Sequence, residues 1–209
     1  MASVLVHMMQ LRSFKLKLRL CYDKSRRHNM NSIIFITGMA GAGKSTVGRL
    51  VARHFPKSLF IQVDELRAKM VKGYARPEGG IFTEEAIQQF QMARSTAIYM
   101  ARLYANQGVD VVIDDVCAPP NFLEQYAALF EIPDVHRVLL YPRAAVVIER
   151  IKQRGGPWEH IKYVPAIYSY LDSMSKEGWI VLDSSDWTIE QTVNEVLSNI
   201  APVPGNVQR

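Results

Sequence analysis

Short apolar runs alternate with amphipathic segments along most of the chain, and this alternation predicts the order of its elements. Five apolar runs predict β-strands at residues 33–37, 59–63, 109–116, 136–141 and 179–183. Helical spacing and helix-start residues predict helices at residues 44–54, 64–73, 83–106, 119–130, 143–154, 164–174 and 188–200. This alternation is typical of an α/β fold with a parallel sheet covered on both faces. Ligands of such folds bind at the carboxyl ends of the strands.

Charge divides the 209 residues into two parts. Residues 1–30 contain seven Lys or Arg and one acid, whereas the remainder contains 18 basic and 19 acidic residues. We therefore expect a basic extension at residues 1–29 and a single domain at residues 30–209. The sequence leaves open whether the extension is dispensable, binds a membrane or a partner, or is a targeting peptide. The near-neutral domain argues against diffuse attraction to nucleic acid.

The cysteine content indicates a reducing compartment. Only Cys21 and Cys117 occur, in unlike surroundings and without a Cys/His cluster, which argues against a disulfide framework or a zinc site. No apolar run reaches the roughly 20 residues that span a bilayer. The sequence thus predicts a cytoplasmic protein without a membrane span, and it leaves the oligomeric state open.

A glycine-rich loop between the first strand and the first helix predicts a phosphate-binding site. It matches the pattern G-x-x-x-x-G-K-[ST] in full and in the required context. Backbone N–H groups of such a loop surround phosphates, the lysine reaches the β- and γ-phosphates, and the hydroxyl binds Mg²⁺. The motif therefore predicts a nucleoside triphosphate, ATP or GTP, with Mg²⁺, held by Gly38, Met39, Ala40, Gly41, Ala42, Gly43, Lys44, Ser45 and Thr46.

Two adjacent carboxylates follow the third apolar run. Asp114 ends that run, and Asp115 comes directly after it. A carboxylate at this place holds Mg²⁺ directly or through water in nucleotide-binding folds of this kind. We expect Asp114 to be this ligand, with Asp115 as the alternative because strand register is uncertain by one residue.

A third carboxylate, Asp64, follows the second predicted strand. It can accept the proton of an attacking hydroxyl, which typically contributes about 10²–10⁴-fold in rate. Arg67 lies one helical turn further on the same face, where it can hold an anionic acceptor or the transferred phosphoryl group. The alternative is that Asp64 only caps the following helix.

Two arginines, Arg150 and Arg154, lie four residues apart at the end of a predicted helix. Arginines that close over a transferred phosphoryl group can contribute about 10³–10⁵-fold in rate. Gly155 and Gly156 follow them and would give a lid its mobility. The alternative is that the two arginines only complement the helix dipole.

With these residues in this order, the sequence resembles the small P-loop kinases, which include the shikimate, gluconate and nucleoside monophosphate kinases. It is most similar to the chloramphenicol phosphotransferase-like group, in which the phosphate loop is followed by V-D-x-L, here Val63-Asp64-Glu65-Leu66. The resemblance covers residues 30–200, and only the phosphate loop is a highly specific motif. The acceptor-binding segment, at about residues 67–91, matches no one member.

The resemblance implies a three-layer P-loop NTPase fold, with a five-stranded parallel sheet in the order 2-3-1-4-5 and a small helical lid. It implies ATP-dependent phosphorylation of a hydroxyl on a small molecule, such as an antibiotic or a metabolite. It also implies that Lys44 and Ser45 are the phosphate-loop pair, that Asp64 is the base, and that Arg150 and Arg154 are the lid arginines.

Two other functions remain open at this stage. One is an NTPase or nucleotide-controlled switch, although the chain has no N-K-x-D motif, no D-x-x-G after the third strand and no ABC-type signature. The other is a kinase acting on nucleic-acid ends, which the neutral domain disfavours and the basic extension keeps in consideration. Neither explains Asp64 as directly as a small-molecule kinase does.

Overall fold

The strands form one five-stranded, all-parallel sheet in the order β2-β3-β1-β4-β5. A computed structural model describes residues 31–77, 82–116, 122–155 and 159–200. The predicted fold class and strand order are confirmed. The strands are β1 (Ile33–Gly38), β2 (Ser58–Gln62), β3 (Asp110–Asp114), β4 (Val135–Leu140) and β5 (Trp179–Leu182).

Helices connect these strands and cover both faces of the sheet. Those in the described ranges are α1 (Lys44–Ala52), α2 (Val63–Arg67), α3 (Glu84–Ala105), α4 (Phe122–Phe130), α5 (Ala144–Gln153), α6 (Glu159–Ser173) and α7 (Ile189–Ile200). None of them is long and apolar enough to cross a membrane. The start of α3 is as predicted, because the Thr83 hydroxyl accepts a hydrogen bond from the Ala86 N–H at 3.2 Å and so caps the helix.

Two apolar layers hold the sheet in place. On one face, alternate residues of β1 pack with α1 and α7 around Ile34, Ile36 and Val51. On the other, an aromatic cluster surrounds Phe35, with the Tyr126 ring centroid 4.4 Å away. All six residues of β1 are buried, which explains why the strand is a continuous apolar run rather than an alternating one.

Three predicted boundaries are wrong. Strand β2 spans Ser58–Gln62 instead of residues 59–63, so Val63 is the first residue of α2 rather than the last of the strand. Helix α2 ends at Arg67 and not near residue 73, because the exposed Met70 and Val71 offer no apolar face for packing. Helix α6 begins at Glu159 within a predicted loop and includes Pro165.

The continuation of α6 past its proline has a packing explanation. A proline inside a helix removes one backbone hydrogen bond. Val164, Ile167 and Leu171 are all buried along one face of this helix, and this burial offsets the loss. Several predictions lie outside the described residues, namely the extension at residues 1–29, the helix start at Pro119 and the loop glycine Gly156.

Candidate active site

The phosphate loop leaves the sheet at its centre, at the carboxyl end of β1. Gly38 has φ of +146°, and a Cβ built there would lie 2.4 Å from the Leu140 carbonyl oxygen. Gly41 has φ of +88°, and its Cβ would lie 3.0 Å from the Ile151 side chain on α5. Only glycine fits such conformations at such close approaches. The loop is therefore packed directly between β4 and α5.

Lys44 and Ser45 open helix α1 immediately after the loop. The Lys44 ammonium donates to the Met39 carbonyl at 3.3 Å, so it lies across its own loop. The Ser45 hydroxyl hydrogen bonds to the Asp114 carboxylate. The loop lysine, the loop hydroxyl and a strand-end carboxylate thus meet in one place, as the sequence predicts for a nucleotide and metal site.

The structure distinguishes the two adjacent carboxylates of β3. Asp115 is fully buried and accepts a 2.7 Å hydrogen bond from Arg94 Nε and a 3.0 Å one from the Tyr126 hydroxyl. Its side chain is therefore engaged in the core beneath α3 and α4. Asp114 instead interacts with Lys44 and Ser45. Of the pair, only Asp114 is free to face a bound nucleotide.

Asp114 suits a Mg²⁺ ion. Burial raises the pKa of this carboxyl above its usual value, and the Lys44 charge and the Ser45 hydrogen bond oppose the rise. A buried carboxylate oxygen beside a hydroxyl is the hard-oxygen pair that Mg²⁺ binds together with nucleotide phosphates and water. The described residues contain no group of three His, Cys, Asp or Glu side chains placed to hold a metal by themselves, so substrate phosphates would have to complete the coordination.

We expect Asp114→Asn to stabilise the nucleotide-free protein at neutral pH and to weaken Mg²⁺-supported ATP binding. The pKa of the Asp114 carboxyl is higher in the folded state than in the unfolded one, so the folded protein favours the protonated carboxyl. The stability that this preference contributes is lost as the pH rises through the folded-state pKa. The Asn variant avoids this loss. Loss of the ligand should lower the apparent Mg²⁺ affinity by about 10–100-fold.

Thermal unfolding of both proteins from pH 4 to 8, with and without Mg-ATP, measures both effects. The stability difference between them should disappear on acidification, when Asp114 is protonated. A variant that is less stable at every pH, or that retains the full effect of Mg²⁺, would contradict the assignment.

Asp64 lies on the β2 side of the phosphate loop. Its side chain is 68% exposed, and one carboxylate oxygen is 3.5 Å from Nη1 of Arg67. Asp64 is close enough to Asp114 to raise the pKa of that carboxyl. The N-cap of α2 is Gln62, which argues against the alternative that Asp64 is only a cap.

Arg67 is more enclosed than the sequence predicts for a residue that touches the substrate. It is 5% exposed, its guanidinium lies 3.5 Å from the centre of the Phe90 ring, and its Nη2 donates to the Ala75 carbonyl at 3.1 Å. Its position beside Asp64 agrees with the predicted helical spacing.

Arg150 and Arg154 line a cavity of about 210 Å³ on the opposite side of the loop, toward β4 and β5. Arg150 Nη2 donates to the Ser184 carbonyl at 3.0 Å, which ties α5 to the segment after β5. The cavity is bordered by the loop backbone at Gly41 and Gly43, and by Trp187. The two arginines therefore adjoin both the phosphate loop and a half-open, mainly apolar cavity.

The sequence alone does not identify the residues that position the site through long-range contacts. Arg94 decides which aspartate faces the loop, yet nothing in the sequence around it distinguishes it from a solvent-exposed helix arginine. In the sequence, the segment around Ser184 and Trp187 is a Ser- and Asp-rich turn after the last strand, a pattern that fits an ordinary loop as well as the border of a nucleobase. A Trp next to an acid-rich turn after the last strand was the one available signal.

Comparison with known proteins places this geometry in a family. A sequence profile described as an AAA domain matches residues 33–167, more than half of the chain. The chain belongs to this AAA-domain family. None of the curated proteins matches the sequence.

Several solved structures share the fold of this AAA-domain protein. A sugar kinase from Janibacter sp. HTCC2649 is 24% identical, with 82% of this chain and 96% of that chain covered and a TM-score of 0.60. A tunicamycin resistance protein from Deinococcus radiodurans is 15% identical, with 83% and 97% covered and a TM-score of 0.61. A shikimate kinase from Bacteroides thetaiotaomicron is 19% identical, with 81% and 98% covered and a TM-score of 0.57. The AAA-domain protein therefore has the P-loop kinase fold.

Proposed function

We propose that this protein is an ATP- and Mg²⁺-dependent kinase that transfers the γ-phosphoryl group to a hydroxyl of a small molecule. The observation that carries the proposal is the position of Asp64. This exposed carboxylate is near enough to Asp114 to affect its pKa, and it lies across the phosphate loop from the cavity of Arg150 and Arg154. A nucleotide switch has no use for a carboxylate there, whereas transfer to a hydroxyl needs one.

On the donor side, the loop backbone and Lys44 bind the phosphates, and the cavity beside Trp187 receives the nucleoside. Ser45 and Asp114 would hold Mg²⁺, which would supply positive charge against the negative charge that develops during transfer. Lys44 has to exchange its contact with the Met39 carbonyl for a phosphate oxygen. This exchange replaces a neutral acceptor with a charged one and is therefore favourable.

On the acceptor side, Asp64 accepts the proton as the acceptor hydroxyl oxygen bonds to the γ-phosphorus. The bond between the γ-phosphorus and the bridging oxygen breaks, and ADP leaves with that oxygen. The proton then passes from Asp64 to water, since this side chain is 68% exposed. Arg150 and Arg154 can stabilise the negative charge on the transferred group if the end of α5 approaches it.

Release of ADP by the full chain with Mg-ATP and a panel of hydroxylated acceptors tests the proposal. The panel contains amphenicols, aminoglycosides, sugar acids, shikimate, nucleosides and nucleotides. ADP release should require the acceptor, and mass spectrometry should detect the phosphorylated acceptor. Equal ADP release with and without every acceptor would instead indicate an NTPase or a switch.

Lys44→Ala should weaken ATP binding by about 10–100-fold, because a charge-assisted hydrogen bond to phosphate is lost, and should abolish turnover. Calorimetric titration with Mg-ATP measures the affinity. Lys69→Ala, which removes an exposed lysine on the β2 side, is the matched control and should bind ATP normally. Unchanged affinity in the Lys44 variant would argue against ATP binding at this loop.

We further propose that the reaction takes place in the cytoplasm, in keeping with the low cysteine content. Nucleic acid is not the acceptor that we expect, because the domain outside residues 1–30 is close to neutral.

A further inference from the structure

Three arginines and two aromatic residues on the β2 side form a connected cluster, here called the arginine–aromatic cluster. The Arg94 guanidinium lies 5.0 Å from the centre of the Phe90 ring, and that of Arg67 lies 3.5 Å from the same ring. Arg67 is also 5.2 Å from the Tyr74 ring, and Arg76 is 5.5 Å from it. The cluster thus runs from the buried core at Arg94 to the exposed Arg76.

The cluster carries more positive than negative charge. Arg94 is neutralised by Asp115 at 2.7 Å. Arg67 has only the exposed Asp64 at 3.5 Å, and its buried Nε has no hydrogen-bond partner. Arg76 has no carboxylate within 4.0 Å among the residues that the structure describes. A buried, unsatisfied guanidinium N–H is costly, and such a group in a native protein calls for an explanation.

The backbone around the cluster is held by specific hydrogen bonds. The Gln89 side chain, which is 4% exposed, donates to the Gly73 carbonyl at 2.7 Å and accepts from the Ala75 N–H at 2.9 Å. Arg67 holds the Ala75 carbonyl. The segment that carries Tyr74 and Arg76 is therefore fixed next to Arg67, the ion-pair partner of Asp64, which lowers the entropy cost of binding a ligand there.

We infer that the acceptor carries an oxyanion, a carboxylate or a phosphate, which binds at the exposed Arg76 end of the cluster while the reacting hydroxyl faces Asp64. This inference rests on the proposed kinase function. Planar guanidiniums held against aromatic rings are prearranged for bidentate contact with an oxyanion. A neutral acceptor would leave Arg76 without a carboxylate or phosphate partner among the described residues.

Matched pairs of acceptors that differ only in the anionic group test the inference with the full chain. The pairs are gluconate and glucitol, shikimate and methyl shikimate, and thymidine monophosphate and thymidine. For any pair that supports ADP release, the anionic member should have a kcat/KM about 10–100-fold higher, the range expected for a charge-assisted hydrogen bond. Arg76→Gln should reduce this preference about tenfold, whereas Lys72→Gln, the loss of another exposed cation in the same segment, should leave it unchanged.

The kinetics of these acceptor pairs distinguish failure of the anionic-acceptor inference from failure of the kinase proposal. Phosphorylation of both members of each active pair within threefold, or preference for the neutral member, would overturn the anionic acceptor and leave the kinase intact. A preference that persists in Arg76→Gln would also overturn it.

Inorganic phosphate provides a probe that does not depend on turnover. With the phosphate loop saturated by a non-hydrolysable Mg-ATP analogue, millimolar phosphate should raise the melting temperature of the wild type and of Lys72→Gln, at ionic strength matched with chloride. Arg76→Gln should lose this increase. If phosphate stabilises all three proteins equally or stabilises none, the oxyanion site is absent, whether or not an acceptor has been found.

Discussion

Asp64→Asn is expected to lower turnover by at least a hundredfold while ATP affinity stays nearly unchanged. The amide cannot accept the hydroxyl proton, and general-base catalysis contributes about 10²–10⁴-fold. The donor side remains intact because Lys44, Ser45 and Asp114 keep their contacts. Loss of the Asp64 charge also removes an influence that raises the pKa of Asp114, so Mg²⁺ binding should not suffer. Steady-state kinetics with the acceptor found in the panel, together with calorimetry for ATP, measure the two effects separately.

Glu65→Gln is the matched control, since it removes an equally exposed acid at the next position. It should retain wild-type turnover. A kcat of the Asp64 variant within threefold of wild type would remove the general base from the mechanism and leave the residue as a partner of Arg67. A parallel fall in ATP affinity would instead indicate that the substitution disturbs the phosphate loop.

Arg94→Met is expected to lower the free energy of unfolding by about 3–5 kcal/mol, the usual cost of breaking a buried ion pair by removing one partner. The Arg94 and Asp115 side chains are 1% and 0% exposed. Without the guanidinium, Asp115 is left as a buried charge, and the side-chain oxygen Oε1 of Gln125 loses its donor, which lies 2.7 Å away. Urea unfolding monitored by circular dichroism measures the loss.

Two further variants separate the charge from the packing. Arg94→Met combined with Asp115→Asn should recover much of the stability, because the buried charge is gone. The amide oxygen can still accept from the Val116 N–H, and the amide NH2 can donate to the Tyr126 hydroxyl oxygen. Arg143→Met breaks the Arg143–Asp186 pair, whose side chains are 57% and 74% exposed, and should cost only a small fraction of the Arg94 loss. If both single variants were equally mild, the buried pair would not be a main determinant of stability.

The sheet and the phosphate loop could be predicted from the sequence because their signals are local. A buried parallel strand is a continuous apolar run, and the loop has its glycines and its Lys-Ser pair at fixed spacing. The choice between Asp114 and Asp115 could not be made, because it depends on Arg94, which reaches β3 from a helix about 20 residues earlier. Tertiary contacts of this kind leave no periodic pattern.

The acceptor side was the least predictable part for a related reason. Arg67 was expected to face a ligand because of its spacing from Asp64, but the structure also encloses it between Phe90 and the Ala75 carbonyl. That enclosure depends on Gln89, whose side chain fixes the segment from Gly73 to Ala75. The Gln89 hydrogen bonds join residues that lie 14 and 16 positions apart, a separation at which the sequence shows no pattern.

The strand order has a consequence for how such a protein can change. β1 and its loop lie at the middle of the sheet. The cavity proposed for the nucleoside is lined by the loop and by residues from Arg150 onward in the chain, whereas the arginine–aromatic cluster contains residues between Arg67 and Arg94. The donor side and the acceptor side of the proposed reaction are thus encoded in separate stretches of the gene. If residues 63–94 were exchanged for those of a relative, the acceptor specificity should change as a unit, and nucleotide binding should be retained.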